Sequence, residues 1–479
     1  MEYEPVIGLE VHAQLLTKSK MFCRCSADYA GAAPNTHVCP VCLGMPGVLP
    51  SINRTAVEYT IMTALALNCQ IPEFSKFDRK NYPYPDLMKG YQISQYDMPL
   101  SENGWMQVEV DGQVRKIGIT RVHLEEDTAK LLHVTDENGK SYSLVDVNRS
   151  GTPLMEIVGE PDIRSPQEAR AYLVKLRAIL QALGVSTGNM EEGSFRCDTN
   201  VSIRPKGSTE FGAKVEVKNL NSFRAVQRAL EYEIERQAAV LESGDRIHQE
   251  TRGWDENQGI TVGQRSKEFA HDYRYFPEPD LPPLVISRQW VEEIRAKLPE
   301  LPDARRERFI TQYGLGDESA MVLTNSRATA EFFEEAVKLH PQPKTVANWM
   351  QSELLRLLKD GEGDVSGTKL TPAMLAELLT LVEKGSINAR TAKEVFEEMF
   401  NTGTPAGQIV KEKGLTQISD TAHLEVVVDD VIKNNPQAVA DFRAGKGNAL
   451  SFLVGQVMKI TRGQANPGVV NKLLKDRLG

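Results

Sequence analysis

The chain has no apolar run approaching the roughly 20 residues that a bilayer-spanning helix requires, so no membrane span is expected. It has no basic, then apolar, leader pattern either. Met1-Glu2-Tyr3-Glu4-Pro5 is acidic and runs directly into a strand-like segment, which fits a cytosolic protein. Net positive charge is also absent: the formal net charge is −9, which excludes nucleic-acid binding through bulk charge. Any such contact must be local or shared with a partner subunit. A phosphate-binding loop is missing as well. Gly139-Lys140-Ser141 ends like one, but Val134 stands where its first glycine belongs, and Asn138-Gly139 reads as a hairpin turn. Any ATP site here is therefore not of the common phosphate-loop type.

What remains is ordinary globular composition over 479 residues, with 41% hydrophobic and 25% charged positions, enough for two to four domains. Strand-like segments mixed with two marked helices run to about residue 290, and the pattern afterwards is almost wholly helical. The proline-rich stretch from Phe276 to Pro283, with Pro299 and Pro302 beyond it, forbids continuous helix and marks the change. The pattern predicts an α+β fold with domains at 1–293, 294–404 and 405–479, the last two helical and the last a small tail after Thr402-Gly403-Thr404-Pro405. Ser165-Pro166-Gln167-Glu168 opens one helix as a capping box with proline at its first position, and Gly184 closes it. Others start near Ser222 and at Thr371-Pro372, the latter closed by Gly385.

Alternation places chemistry on strand faces, because side chains at i and i+2 share a face. Glu10 and His12 share one, with Leu9 and Val11 opposite. Arg121, His123, Glu125 and Asp127 share another; Arg196, Asp198, Asn200, Ser202 and Arg204 a third; Lys214, Glu216 and Lys218 a fourth. Glu191 and Glu192 lie just upstream of the third strand. Each face taken alone reads as the solvated side of an antiparallel strand. Joined in one sheet, the four would form a concave polar surface suited to Mg²⁺ or Mn²⁺ with phosphates.

Cys69 and Cys197 are isolated and read as plain buried thiols. The other four form the pairs Cys23-x-Cys25 and Cys39-x-x-Cys42, separated by 13 residues. That spacing suits a four-thiolate zinc site, structural because four cysteines leave no open position. Disulfides are the alternative, disfavoured in a reducing compartment, along with incidental thiols. Lys76 to Asp86 and Asp272 to Pro277 interleave cations with aromatics, a pattern able to grip phosphates and stack on bases or simply to build rigid loops. From Arg443 onward the cations Arg443, Lys446, Lys459, Arg462, Lys472, Lys475 and Arg477 face the single acid Asp476, which makes this tail the candidate for phosphate-backbone contact.

Several longer stretches then go together: Val6-Ile-Gly-Leu-Glu-Val-His12, Lys76-Phe-Asp-Arg-Lys-Asn-Tyr82, Tyr91-Gln-Ile-Ser-Gln95, Val145-Asp-Val-Asn-Arg149, Met190-Glu-Glu-Gly193, Glu216-Val-Lys-Asn-Leu-Asn-Ser222, Asp272-Tyr-Arg-Tyr-Phe-Pro-Glu-Pro279 and Gly463-Gln-Ala-Asn-Pro467. From end to end the chain resembles the B subunit family of aspartyl/glutamyl-tRNA(Asn/Gln) amidotransferases. The resemblance implies a cradle-like, mainly antiparallel N-terminal domain, a helical domain and a tail that reaches tRNA. It implies ATP-dependent phosphorylation of the side-chain carboxylate of Glu-tRNA(Gln) or Asp-tRNA(Asn), followed by amidation. The ammonia would come from an amidase-type A subunit, with a small C subunit completing a heterotrimer, and this chain indeed carries no Cys or Ser amidase motif. Carried over, Glu10, His12 and Glu125 are the expected catalytic and magnesium residues. Glu191, Asp198, Asn200, Glu216 and Lys218 are expected around the ATP. The competing reading is a non-catalytic, zinc-containing, tRNA-binding scaffold, which has no need for Glu10, His12 and Glu125 to converge.

Overall fold

The protein is described by a computed structural model covering residues 2–266, 273–358, 365–415, 421–443, 448–461 and 465–479. Met1, Asp272, Lys446, Arg462, Gly463 and Gln464, named above, lie outside these residues. The chain divides into two compact units, Met1–Pro302 and Asp303–Gly479.

The first unit is built on an eight-stranded sheet. Its order is Ile260–Ser266, Glu250–Asp255, Val215–Lys218, Phe195–Pro205, Tyr3–Gln14, Pro153–Gly159, Gln113–Glu126 and Ser101–Val110. Every neighbouring pair is antiparallel except Val215–Lys218 with Glu250–Asp255, whose connection carries the helix Phe223–Glu242. Parallel strands need such a crossover, whereas antiparallel neighbours do not. The central strand Tyr3–Gln14 shows how the sequence divides the sheet into two faces. Ile7, Leu9, Val11 and Ala13 are 1% exposed or less and join one core with the helices Arg54–Ala66, Pro166–Leu183 and Phe223–Glu242. The alternate positions, Glu10 and His12 among them, point to the other face.

The helices that cover the apolar face begin and end where local chemistry dictates. Ser165 is extended and its hydroxyl accepts from the Glu168 amide, Pro166 occupies the first turn, and Gly184 takes φ 68° to end the helix. Tyr172, Leu173, Leu176 and Leu180 are fully buried along its inner stripe. Each such side chain contributes about 1.5–3 kcal/mol of apolar burial. Ser222 caps Phe223–Glu242 in the same way, accepting from Ala225.

Smaller sheets accompany the large one. Tyr91–Ser94, Asp78–Asn81 and Phe276–Pro277 form a three-stranded antiparallel sheet, so segments almost 200 residues apart in sequence are hydrogen-bonded neighbours. Lys130–Thr135 and Ser141–Asp146 form the hairpin that Asn138-Gly139 predicts, with Gly139 at φ 78°.

The second unit is helical among its described residues. Phe309, Phe333, Met350, Leu375, Phe396 and Ile409 belong to one core, and Leu424, Val428, Leu453, Val457, Val470 and Leu474 to another. Thr371 caps Pro372–Glu383, and Gly385 follows at φ 67°. Arg443, Lys459, Lys472, Lys475 and Arg477 are all exposed, and Arg477 pairs with Glu425 at 3.2 Å. Among the described residues no helix is long and apolar enough to cross a membrane.

Candidate active site on the polar face of the sheet

Strand register decides which polar side chains meet. His123 stands opposite Glu156, Glu156 opposite His12, and His12 opposite Arg196, so four strands contribute one residue each to a single row. The Glu156 Oε2 lies 3.2 Å from His123 Nε2 and 3.5 Å from His12 Nε2. His12 Nε2 is 3.6 Å from Glu125 Oε1. His12, Glu125 and Glu156 each offer a ligand atom, all within 4.8 Å of one another. An imidazole with two carboxylates at that spacing can close around a divalent ion.

The electrostatics follow from burial and charge. Burial alone would lower the His12 pKa, but the Coulombic and hydrogen-bonding pull of Glu156, with Glu125 behind it, outweighs this and the opposing Arg196, giving about 9. Burial would likewise raise Glu156, yet the two imidazoles hold it well below the ordinary carboxylate value. At the end of the row Arg196 donates to Asp127 at 3.0 Å, and Gln14 donates to the other oxygen of the same carboxylate at 2.6 Å. Ser94 donates to Glu125 at 3.2 Å.

A second row lies two residues along the strands. Glu10 faces Asp198, which accepts from Lys218 at 2.6 Å. Lys218 also lies 3.2 Å from Glu216, and Glu216 accepts from Thr251 at 2.9 Å. Asn200 donates to Glu10 at 2.7 Å, while its carboxamide oxygen is buried without a partner among the described residues. Glu10 therefore belongs to this row and not to the three-ligand cluster. A cavity of about 360 Å³ opens beside it, lined by Gly8, Glu10, Asn200, Ser202, Phe211 and Lys214 among others. Glu191 is exposed in a turn, with its amide bonded to Asn189.

The two aromatic–basic segments form one wall. Asn81 donates from its backbone to Tyr273 O at 2.9 Å and from its side chain to Arg274 O at 2.9 Å. Tyr96 stacks on Tyr275 with centroids 4.2 Å apart, Tyr82 meets Tyr273 edge-on, and the Lys80 Nζ lies 4.9 Å from the Tyr273 ring centroid. Burial would lower the Lys80 pKa, but Glu125, Tyr275 and Glu156 raise it, so the ammonium stays charged beside the cluster. Behind it the Arg79 guanidinium grips Glu278 through two bonds of 2.7 and 2.9 Å and stacks 4.2 Å over Tyr91.

The four paired cysteines also converge. Cys42 Sγ is 3.3 Å from Cys23, 3.7 Å from Cys39 and 3.7 Å from Cys25. Tetrahedral metal–sulfur bonds of about 2.3 Å put adjacent sulfurs roughly 3.8 Å apart, so the set fits a structural metal ion and is consistent with zinc. Cys69 and Cys197 are buried, single thiols.

Glu156 is the residue that sequence reasoning misses. Its signal is present: a lone carboxylate inside Pro153-Leu-Met-Glu-Ile-Val-Gly159 must find partners when the strand is buried. Alternation puts His123 and Arg196 on the correct faces without giving them a role, and Lys80 reads from sequence only as a loop cation.

Residues 5–292 match the GatB/GatE catalytic domain and residues 331–478 match the GatB domain, and the chain belongs to this family. It is 60% identical over 477 residues to the B subunit of the aspartyl/glutamyl-tRNA(Asn/Gln) amidotransferase of Carboxydothermus hydrogenoformans, covering 100% of this chain and 99% of the relative. Identity to the B subunit of the same name in Moorella thermoacetica is 61% over 478 residues, with both chains fully covered.

Proposed function

We propose that this chain is the B subunit of a tRNA-dependent amidotransferase, and that the polar face of its sheet performs both chemical steps. In the first, the side-chain carboxylate of Glu-tRNA(Gln) or Asp-tRNA(Asn) attacks the γ-phosphorus of ATP and ADP leaves. In the second, ammonia attacks the resulting acyl phosphate and inorganic phosphate leaves, giving Gln-tRNA(Gln) or Asn-tRNA(Asn). The observation that carries this reading is the meeting of His12, Glu125 and Glu156 beside the cations Lys80 and Arg196.

His12, Glu125 and Glu156 would hold Mg²⁺, which when bound neutralises charge on the transferring phosphoryl group. Lys80 and Arg196 flank that position and stabilise the equatorial oxygens of the same group. The cavity beside Glu10 suits the nucleoside: Phe211 offers a ring for stacking, and Asn200 and Ser202 offer hydrogen bonds. The wall of Tyr82, Tyr273 and Tyr275 suits the aminoacylated end of the tRNA. The exposed cations of the tail at 405–479 suit the tRNA phosphate backbone. Zinc in the four-cysteine site would be structural. The absence of an amidase motif calls for an amidase-type A subunit as the ammonia source, with a small C subunit, in the cytosol.

The test is amidation of both charged tRNAs by this chain with its A and C partners, using ATP and ammonium chloride without glutamine. Amide product that disappears in Glu125→Gln, with tRNA binding retained, is expected. Binding of tRNA without any ATP-dependent product would overturn the proposal in favour of a scaffold.

A further inference from the structure

A lysine with no exposed surface needs an anion nearby, because an unpaired buried ammonium is expelled or neutralised. Lys20 is 0% exposed. No ion pair among the described residues joins it to a carboxylate. Its ammonium instead donates to the carbonyl of His37 at 2.8 Å, to that of Val147 at 3.4 Å, and to Cys42 Sγ at 3.6 Å. Cys42 is the sulfur that the other three cysteines surround.

Four thiolates around a divalent ion leave two net negative charges, which are costly in a half-buried site. We propose that Lys20 is the outer-sphere cation of the four-cysteine site, offsetting part of this charge and fastening the metal knuckle to the loop at 147–151. The inference rests on the zinc reading given above. The fastening has a definite route. Lys20 joins the carbonyls of His37, inside the knuckle, and Val147, inside the loop. The next residue, Met21, donates to Gly151 O at 2.7 Å, and Gly151 donates to Asp127 O at 2.9 Å. Asp127 in turn holds Arg196 in the row containing His12. Loss of the cation weakens metal binding first and then frees the loop that backs Asp127.

The experiment measures zinc in the purified full-length chain and its transfer to a chromophoric chelator, for wild type, Lys20→Met and Lys20→Gln. Wild type is expected to carry a single zinc. The variants are expected to bind it about 10- to 100-fold more weakly, as loss of outer-sphere partners does elsewhere. Wild-type affinity in either folded variant overturns the role of Lys20 while leaving the metal site standing. A wild-type chain without zinc overturns the metal site and this inference together. A measurement on wild type alone guards against variants that fail to fold: Lys20 should resist acetylation while zinc is bound and react after chelation. Equal protection in both states overturns the coupling.

Discussion

Glu156 faces His12 directly across the ladder between the strands Tyr3–Gln14 and Pro153–Gly159, its Oε2 3.5 Å from the imidazole Nε2. A carboxylate in that position ties the charge of His12 to the metal chemistry proposed for the site, since the same nitrogen must lose its proton to become a ligand.

The His12 imidazole is therefore expected to titrate near 9 in the metal-free protein, raised from an ordinary value of 6.5. Because the folded value is raised, the stability that this contact contributes is fully present below pH 6.5 and disappears as pH rises through about 9. Mg²⁺ affinity should run the opposite way, strengthening up to about pH 9 as the competing proton leaves. An NMR titration of the His12 ring with and without Mg²⁺ checks both. A ring that titrates near 6.5 regardless of Mg²⁺ contradicts the pairing. Glu156→Gln should bring the His12 value down and cut ATP-dependent amidation on the order of 10²- to 10³-fold, with tRNA binding kept.

Arg79→Ala should destabilise the first unit by about 3–5 kcal/mol, because it strips the buried Glu278 carboxylate of its bidentate partner. Urea unfolding followed by tryptophan fluorescence measures this. A smaller loss in the double variant Arg79→Ala, Glu278→Gln is expected, since no buried charge is then orphaned.

Phe211→Ala should weaken ATP binding about 5- to 150-fold, corresponding to about 1–3 kcal/mol of lost ring stacking. Calorimetric titration with ATP reads it directly. Unchanged ATP affinity would move the nucleoside out of the cavity beside Glu10.

Lys472→Glu with Lys475→Glu should weaken tRNA binding without altering ATP affinity. The slope of log affinity against log salt concentration should fall by roughly 2, one unit for each lost phosphate contact. If affinity changes while the slope holds, the loss is one of folding in the tail and not of phosphate contact.

Much of this fold is legible because its signals are local. Ser165, Pro166 and Gly184 bracket a helix through chemistry within a few residues, and the structure has that helix at Pro166–Leu183. The alternation of Leu9, Glu10, Val11 and His12 fixes the two faces of a strand without knowledge of its neighbours. What alternation leaves open is which strands are adjacent and in what register. That is why Glu156, separated from His123 by a whole hairpin in sequence but beside it in the sheet, stays hidden. It is also why Glu10 and His12, equivalent by pattern, divide between two rows with different partners: His12 with Glu156, and Glu10 with Asn200. The meeting of Asn81 with Tyr273 cannot be read at all, because hydrogen bonding between segments so far apart leaves no trace in local spacing.

The pairing of Asp78–Asn81 with Phe276–Pro277 also has a temporal side. A ribosome delivering this chain has made Lys80, Glu125 and Glu156 long before Tyr273 and Tyr275 exist. Contacts of such sequence separation form late and slowly. Until then the nascent chain presents an open strand edge at Asp78–Asn81 and an incomplete tyrosine wall. The last piece of the wall arrives just before the boundary at Pro302, so the first unit can close only when nearly all of it has been synthesised.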